Sequence, residues 1–464
     1  MRSQIQARST DPAAGVRRWA MLGMICFAGV LPAEAQVGLP EPGPPYIELN
    51  SLALPALLPM PAAPAQQDRI DAAVRQDRLP DALGLLLDLA AEPDDTDSRI
   101  AVQTNLGHLY QRLGEPQTAI GHYQQALDLI AAGGNGARDP RQLPVYYGIG
   151  VVEYGRGRYQ PAQEALGQAF FTARSSYGLK SETQLPALRG LAETSLALGQ
   201  YEQAQAHARA QLSIVQQSQG PASDDALETA EQVGDFLGRT GQYWQQRLVL
   251  RDKLKLIRAR YGADDWRQVE TLQALARSYR AAYEPETYGL ADLELADEIA
   301  RKHPERFSAV DLARLKRELG DYYMTFRSPK RANQLYGHAW ALLEEAGRPE
   351  LQTSWFGSAQ PLFVPRPAPR DGVGELPAAG LPEGYVSFRF NVTPQGRVSV
   401  PEAEDIVPAE AADMRLRSER ALREARFRPR VTASGAEFTR DVLYRMRFRY
   451  LPETPGDAGG ESDS

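Results

Sequence analysis

The chain has 464 residues, enough for more than one folded unit, and 43% of them are hydrophobic, an ordinary share for a globular protein. Its formal net charge of -7 gives no reason to expect nucleic acid as a partner. That charge is uneven: residues 384–450 hold 13 arginines and no lysine against 9 acidic residues, so a basic end follows an acidic body.

In chain order, Arg17-Arg18 precede an apolar run from Trp19 to Leu31, and Ala33-Glu34-Ala35 closes it. A charged start, about a dozen apolar residues and an Ala-x-Ala end describe a secretory signal peptide over residues 1–35. A spanning helix needs roughly 20 apolar residues, and this run stops at Pro32. The expectation is therefore cleavage after Ala35 and an exported, periplasmic protein, with an uncleaved inner-membrane anchor as the alternative. Cys26, the single cysteine, lies in that run, so the mature chain offers no thiol nucleophile, zinc thiolate or disulfide. Residues 36–66 are rich in proline, as in Pro40-Glu41-Pro42-Gly43-Pro44-Pro45, and read as an extended linker. A second Pro-rich linker spans residues 353–380, and residues 453–464 read as a disordered tail.

Between the linkers, over residues 67–352, the sequence repeats. Apolar-small pairs recur as Leu106-Gly107, Ile149-Gly150, Leu191-Ala192, Val233-Gly234, Leu275-Ala276 and Leu319-Gly320, at steps of 43, 42, 42, 42 and 44 residues. Seven residues after the small position stand Gly114, Gly157, Gly199 and Gly241; twelve after it stand Ala119, Ala162, Ala204 and Ala332. Sixteen and nineteen after it come Tyr123 and Ala126, Leu166 and Ala169, Tyr336 and Ala339. A small residue inside a first helix lets a second helix approach closely, and a glycine past the helix end takes a left-handed cap. No unit buries its apolar face alone, so a stack is expected. Residues 67–98 read as a shorter, degenerate first unit. Unit five replaces the turn glycine with Tyr283-Glu284-Pro285-Glu286, and about three extra residues are expected to move its small contact to Ala291. The pattern resembles the tetratricopeptide repeat in a longer form of about 42 residues, which implies a mostly helical solenoid of about six units.

After the second linker the period changes to two. Val386, Phe388, Phe390 and Val392 alternate with polar residues, Thr393-Pro394-Gln395-Gly396 signals a turn, and Arg397 to Ile406 supplies a second strand. Residues 409–425 place Met414, Ala421, Leu422 and Ala425 on one helical face, and Phe438, Val442, Tyr444, Met446, Phe448 and Tyr450 alternate in a last strand. The predicted order is strand, strand, helix, strand. Gly384-Tyr385-Val386-x-Phe388-x-Phe390, Gly396-Arg397-Val398 and Ala421-Leu422-x-x-Ala425-Arg426-Phe427-Arg428-Pro429 resemble the C-terminal domain of TonB-type energy transducers. That family commonly has tryptophan where Ala425 stands. The resemblance implies a small α+β (ββαβ) domain over residues 381–452 whose edge accepts an extended peptide as an added strand, docking on outer-membrane receptors.

Catalytic and metal chemistry lack residues. The five histidines, His108, His122, His207, His303 and His338, have no metal-ligand spacing, and there is no Gly-x-Ser-x-Gly elbow and no phosphate-cradling loop. Asp94-Asp95-x-Asp97 lacks the glycine and the closing glutamate of a calcium loop and reads as a helix cap. No enzyme activity, cofactor or small-molecule substrate is expected. What remains is surface for proteins or peptides. Positions one residue after and three before each small residue are expected to line a concave groove, among them His108, Tyr147, Arg189, Glu231, Arg277 and Arg317. On the end domain the candidate edge is Val442, Tyr444, Arg445, Met446, Arg447 and Arg449, with the arginines equally suited to blocking edge aggregation. Two functions follow: a TonB-like component of envelope transport, or a periplasmic repeat scaffold with no part in energy transduction.

Overall fold

The computed structural model describes residues 50–60, 63–91, 95–133, 138–284, 287–326, 328–367 and 382–450. The expected signal peptide, the first part of the first linker, the latter part of the second and the expected tail lie outside them.

Helices come in pairs: α1 (Pro64–Arg75) with α2 (Leu79–Ala91), α3 (Thr96–Arg112) with α4 (Pro116–Ala132), α5 (Gln142–Gly155) with α6 (Tyr159–Tyr177), and α7 (Leu185–Ala197) with α8 (Tyr201–Gln219). They continue as α9 (Asp224–Arg239) with α10 (Tyr243–Tyr261), α11 (Gln268–Ala281) with α12 (Thr287–Lys302), and α13 (Ala309–Phe326) with α14 (Pro329–Glu345). Local chemistry sets the ends. Asp95, Ser223 and Ser328 cap helices by accepting from the amides of Ser98, Ala226 and Arg331, and proline opens α1, α4 and α14, where its missing N–H costs nothing.

The repeat register has a direct physical cause. A Cβ on Gly107 would fall 2.4 Å from the Tyr123 ring, and one on Gly320 would fall 2.4 Å from the Tyr336 ring. Each of these glycines faces the side chain sixteen residues later, and the rings are fully buried, so the two helices meet at backbone distance. Gly114, Gly157, Gly199 and Gly241 end first helices with φ between 72° and 78°. At the same place in unit five, Tyr283 itself takes the left-handed conformation, φ 52°, and its ring stacks on Phe363 at 3.6 Å.

Unit five corrects the sequence expectation. Ala291 is exposed; Gly289, Leu293 and Ala296 are the buried contacts, a register shifted by one residue rather than three. Tyr283 makes the turn without glycine, so few extra residues are needed.

The second linker begins later than the proline pattern suggested. Residues 349–356 form a helix, α15 (Pro349–Phe356), whose Phe356 is fully buried against Tyr336 and Trp340, and β1 (Gln360–Phe363) follows. The end region then runs β2 (Glu383–Val392), β3 (Val398–Val407), α16 (Asp413–Glu424), β4 (Arg426–Arg428), β5 (Val431–Thr432), β6 (Gly435–Ala436) and β7 (Thr439–Arg449). The long strands form a three-stranded antiparallel sheet ordered β3-β2-β7. The strand, strand, helix, strand order is therefore present, with three short pieces added between α16 and β7. Phe438 departs from the expected alternation: it is exposed, and the strand starts at the next residue.

Val386, Phe388, Phe390, Met414, Leu422, Phe427 and Tyr444 form the core of this region, with Phe390, Phe427 and Tyr444 edge-to-face. It also packs on the last helix pair. β1 pairs antiparallel with β4, Val431 is buried in the α11–α14 core, and the Asn333 amide donates to the Pro394 carbonyl at 3.1 Å.

Candidate functional site

The first helices of successive units adjoin one another: α3 meets α5, α5 meets α7, α9 meets α11, and α11 meets α13. Their shared face is the concave side of the stack. Along α3, α5 and α7 this face is occupied by residues 50–60, which the proline content had suggested were a free spacer.

Side chains of the helices hold the main chain of that segment. The Asn105 side chain accepts from the Leu58 amide at 2.6 Å and donates to the Leu58 carbonyl at 2.9 Å, satisfying both groups of one residue. The Arg112 guanidinium donates to the Pro55 carbonyl at 3.2 Å. Tyr147 donates its hydroxyl to the Ala53 carbonyl at 2.9 Å. At the far end Asn50 is held on three sides. Its amide and side-chain Nδ2 donate to the two Glu193 oxygens at 3.3 and 3.1 Å, and its carbonyl accepts from the Tyr154 hydroxyl at 3.0 Å. Arg239 fixes Glu193 from behind at 2.6 Å.

The apolar side of the segment is also received. Leu52 is buried among Val151, Tyr154, Ala162, Leu166 and Leu191, and Met60 is buried against Ile70, Leu86 and Leu106. Leu52 and Pro55 point inward three residues apart, while Ser51, Ala53, Leu54 and Ala56 are exposed. Three residues per turn is the period of an extended polyproline helix, which proline favours.

Electrostatics reflect the covering. His108 lies fully buried beneath the segment, 5.6 Å from the Tyr123 ring, and burial pushes its pKa down to about 4. Burial raises the phenol pKa values of Tyr147 and Tyr154, and the charge of Glu193 adds to the latter.

Of the groove positions read from the sequence, Tyr147 and Glu193 hydrogen-bond the segment and Val151 lines the Leu52 pocket, while His108 is buried below it. The others lie farther along or point elsewhere. Arg189 is exposed and donates to Gln232 at 3.0 Å; Glu231 pairs with Lys253 and accepts from Thr271 at 3.2 Å. Arg277 pairs with Glu318 at 2.9 Å, and Arg317 lies 4.3 Å over the Trp355 ring, its pKa lowered by burial. Beside Glu231, the Asp235 carboxyl is pushed up to about 6 by desolvation and by that negative charge. Sequence reading missed Asn105, Arg112, Tyr154 and Arg239 as groove residues. A buried asparagine in mid-helix and aromatic or basic residues one turn onward were the available signals.

On the end region, Val442, Tyr444 and Met446 are buried toward α16, so they build the core rather than an accessible edge. Arg445 lies exposed over the Tyr385 ring at 4.2 Å, Arg447 pairs with Glu383 at 3.4 Å, and the Arg449 backbone pairs with Glu383. Among the described residues no strand pairs with the outer side of β7. Nor do they contain a group of three His, Cys, Asp or Glu placed to hold a metal ion, or a helix long and apolar enough to cross a membrane.

Residues 98–170 match the tetratricopeptide repeat family. Similar solved structures include BtubC (BKLC) from P. vanneervenii, 19% identical over 52% of this chain and 93% of that one, TM-score 0.37. The STAND protein with a tetratricopeptide repeat sensor from Pyrococcus horikoshii is 15% identical over 63% of this chain and 44% of that one, TM-score 0.43. A tetratricopeptide repeat protein from Parabacteroides merdae is 16% identical over 62% of this chain and 96% of that one, TM-score 0.34. No curated protein matches the chain. The helix pairs and the family match within residues 98–170 make the described body a tetratricopeptide-like solenoid carrying a small strand-containing end region.

Proposed function

We propose that this chain is an exported, non-enzymatic interaction scaffold whose concave face holds extended peptide segments of proteins. The Asn105–Leu58 pair carries the reading. One side chain satisfies both main-chain groups of an extended residue, which grips a peptide whatever its side chain and leaves selectivity to the pockets on either side. Export rests on the pattern from Arg17 to Ala35.

The test is a titration of a labelled, N-acetylated peptide of residues 50–60 onto the chain with residues 50–60 replaced by a Gly/Ser run, its fold checked by thermal melting. Saturable binding that Asn105→Ala abolishes supports the reading. A folded variant that takes up no peptide overturns it.

A second reading is favoured by the open side of β7. In it the end region resembles the TonB C-terminal domain, adds a strand from an outer-membrane receptor or other partner, and serves envelope transport. Arg445 and Arg447 favour an acidic peptide. Weaker binding of an acidic receptor peptide by Arg445→Glu, suppressed equally by salt, supports it; indifference to both counts against it.

A further inference from the structure

We infer that residues 50–60 are a built-in competitor of the groove, and that the groove's outside partner is an extended, uncharged peptide of the same pattern: asparagine, an aliphatic residue two places on, and proline three further. The inference rests on the scaffold reading and adds to it both a ligand class and a gate.

The ligand class comes from the contacts. Asn50 uses its main-chain N–H and its side-chain amide on the two oxygens of one carboxylate, Glu193, whose position Arg239 fixes. Aspartate at that place would set a second negative charge against Glu193. Alanine would leave one oxygen of a buried carboxylate without that donor. Two residues on, Leu52 fills a pocket of five apolar side chains from α5, α6 and α7. Three further, Pro55 is buried and turns its carbonyl toward Arg112. Between these anchors the exposed side chains of Ser51, Ala53 and Leu54 are not read; Ala53 contributes only its carbonyl, which accepts from Tyr147.

The gate comes from connectivity. Met60 is separated from the first residue of α1 by only residues 61–63, so the segment stands permanently beside its own groove. A ligand on so short a tether has an effective concentration on the order of millimolar. An outside peptide with the same contacts must exceed that concentration or make further contacts, for instance along α9 and α11. Cutting the tether or engaging the segment elsewhere frees the site.

The experiment compares the full-length chain, wild type and Gly/Ser-replaced, using the labelled, N-acetylated peptide of residues 50–60 as probe. The replaced chain is expected to bind the probe at least about tenfold more tightly than wild type. On the replaced chain, a probe with Asn50→Asp or Leu52→Asp is expected to lose most of its affinity. Equal affinity of the two chains removes the gate while leaving the scaffold reading intact. Tight binding with no preference between the original and the Asn50→Asp probe removes the ligand class. A replaced chain that is folded but binds no probe fails the scaffold reading itself. Light scattering supplies the last arm: wild-type dimers that dissociate on replacement mean that the segment occupies a second copy's groove, which overturns competition in cis.

Discussion

Arg428 reaches from the end region into the last repeat and donates one Nη1 to both oxygens of Asp321, at 2.9 and 3.0 Å, with both side chains buried. Asp321 also accepts from Tyr336 at 3.0 Å and lies 3.6 Å from Arg280. The end region is therefore joined to the solenoid by a buried charge pair as well as by apolar packing.

The two partners differ in what their loss leaves behind. Asp321→Asn leaves the Arg428 charge buried without its counter-ion and is expected to cost about 3–5 kcal/mol in urea unfolding. Arg428→Met is expected to cost less, because Tyr336 and Arg280 still serve Asp321. Small losses from both substitutions would mean that this joint does not carry the docking.

Close helix contacts give the second prediction. Ala162 is fully buried on α6, and Ala162→Leu is expected to overpack the contact and cost about 1–3 kcal/mol. Gly320→Ala is expected to be costly as well, since its new methyl meets a fully buried tyrosine ring. Unchanged melting temperatures in both variants would contradict the register of the repeats.

The third concerns pH. His108 has a folded pKa of about 4 against an ordinary 6.5, so the unfolded chain takes its proton first. Stability present at pH 7 is lost as the pH falls from 6.5 toward 4, by up to about 3 kcal/mol. Tyr123 and Arg112 face the same imidazole, and the positive charge of Arg112 adds to the depression. Asp235 acts in the opposite sense, its raised pKa of about 6 favouring the fold as the pH drops below 6. His108→Leu is expected to flatten the acid limb between pH 6.5 and 4.5 in melting experiments. An unchanged slope would assign that limb to other groups.

Much of this architecture is legible in the sequence, because a small residue and its large partner sixteen places on recur with nearly constant step. The alternation in Val386, Phe388, Phe390 and Val392 likewise marks a strand with one buried face. Other features depend on contacts that no local pattern encodes. Tyr283 occupies a left-handed position because Phe363, eighty residues away, stacks on its ring. Arg428 reads as part of the Arg426-Phe427-Arg428-Pro429 motif of the end domain, yet its partner lies in the last repeat. The proline run reads as a spacer by composition. Only the placement of Asn105, Tyr154 and Glu193 on the first helices of three successive units turns it into a bound segment.

That bound segment is tested most directly by hydrogen exchange on the full-length chain, following the amides of residues 50–60. The Leu58 and Asn50 amides are expected to exchange far more slowly than an unfolded peptide, and the Leu58 amide to lose its protection in Asn105→Ala while the repeat helices keep theirs. Exchange of both amides at unfolded-chain rates in the wild-type protein, with the helices protected, would contradict occupation of the groove.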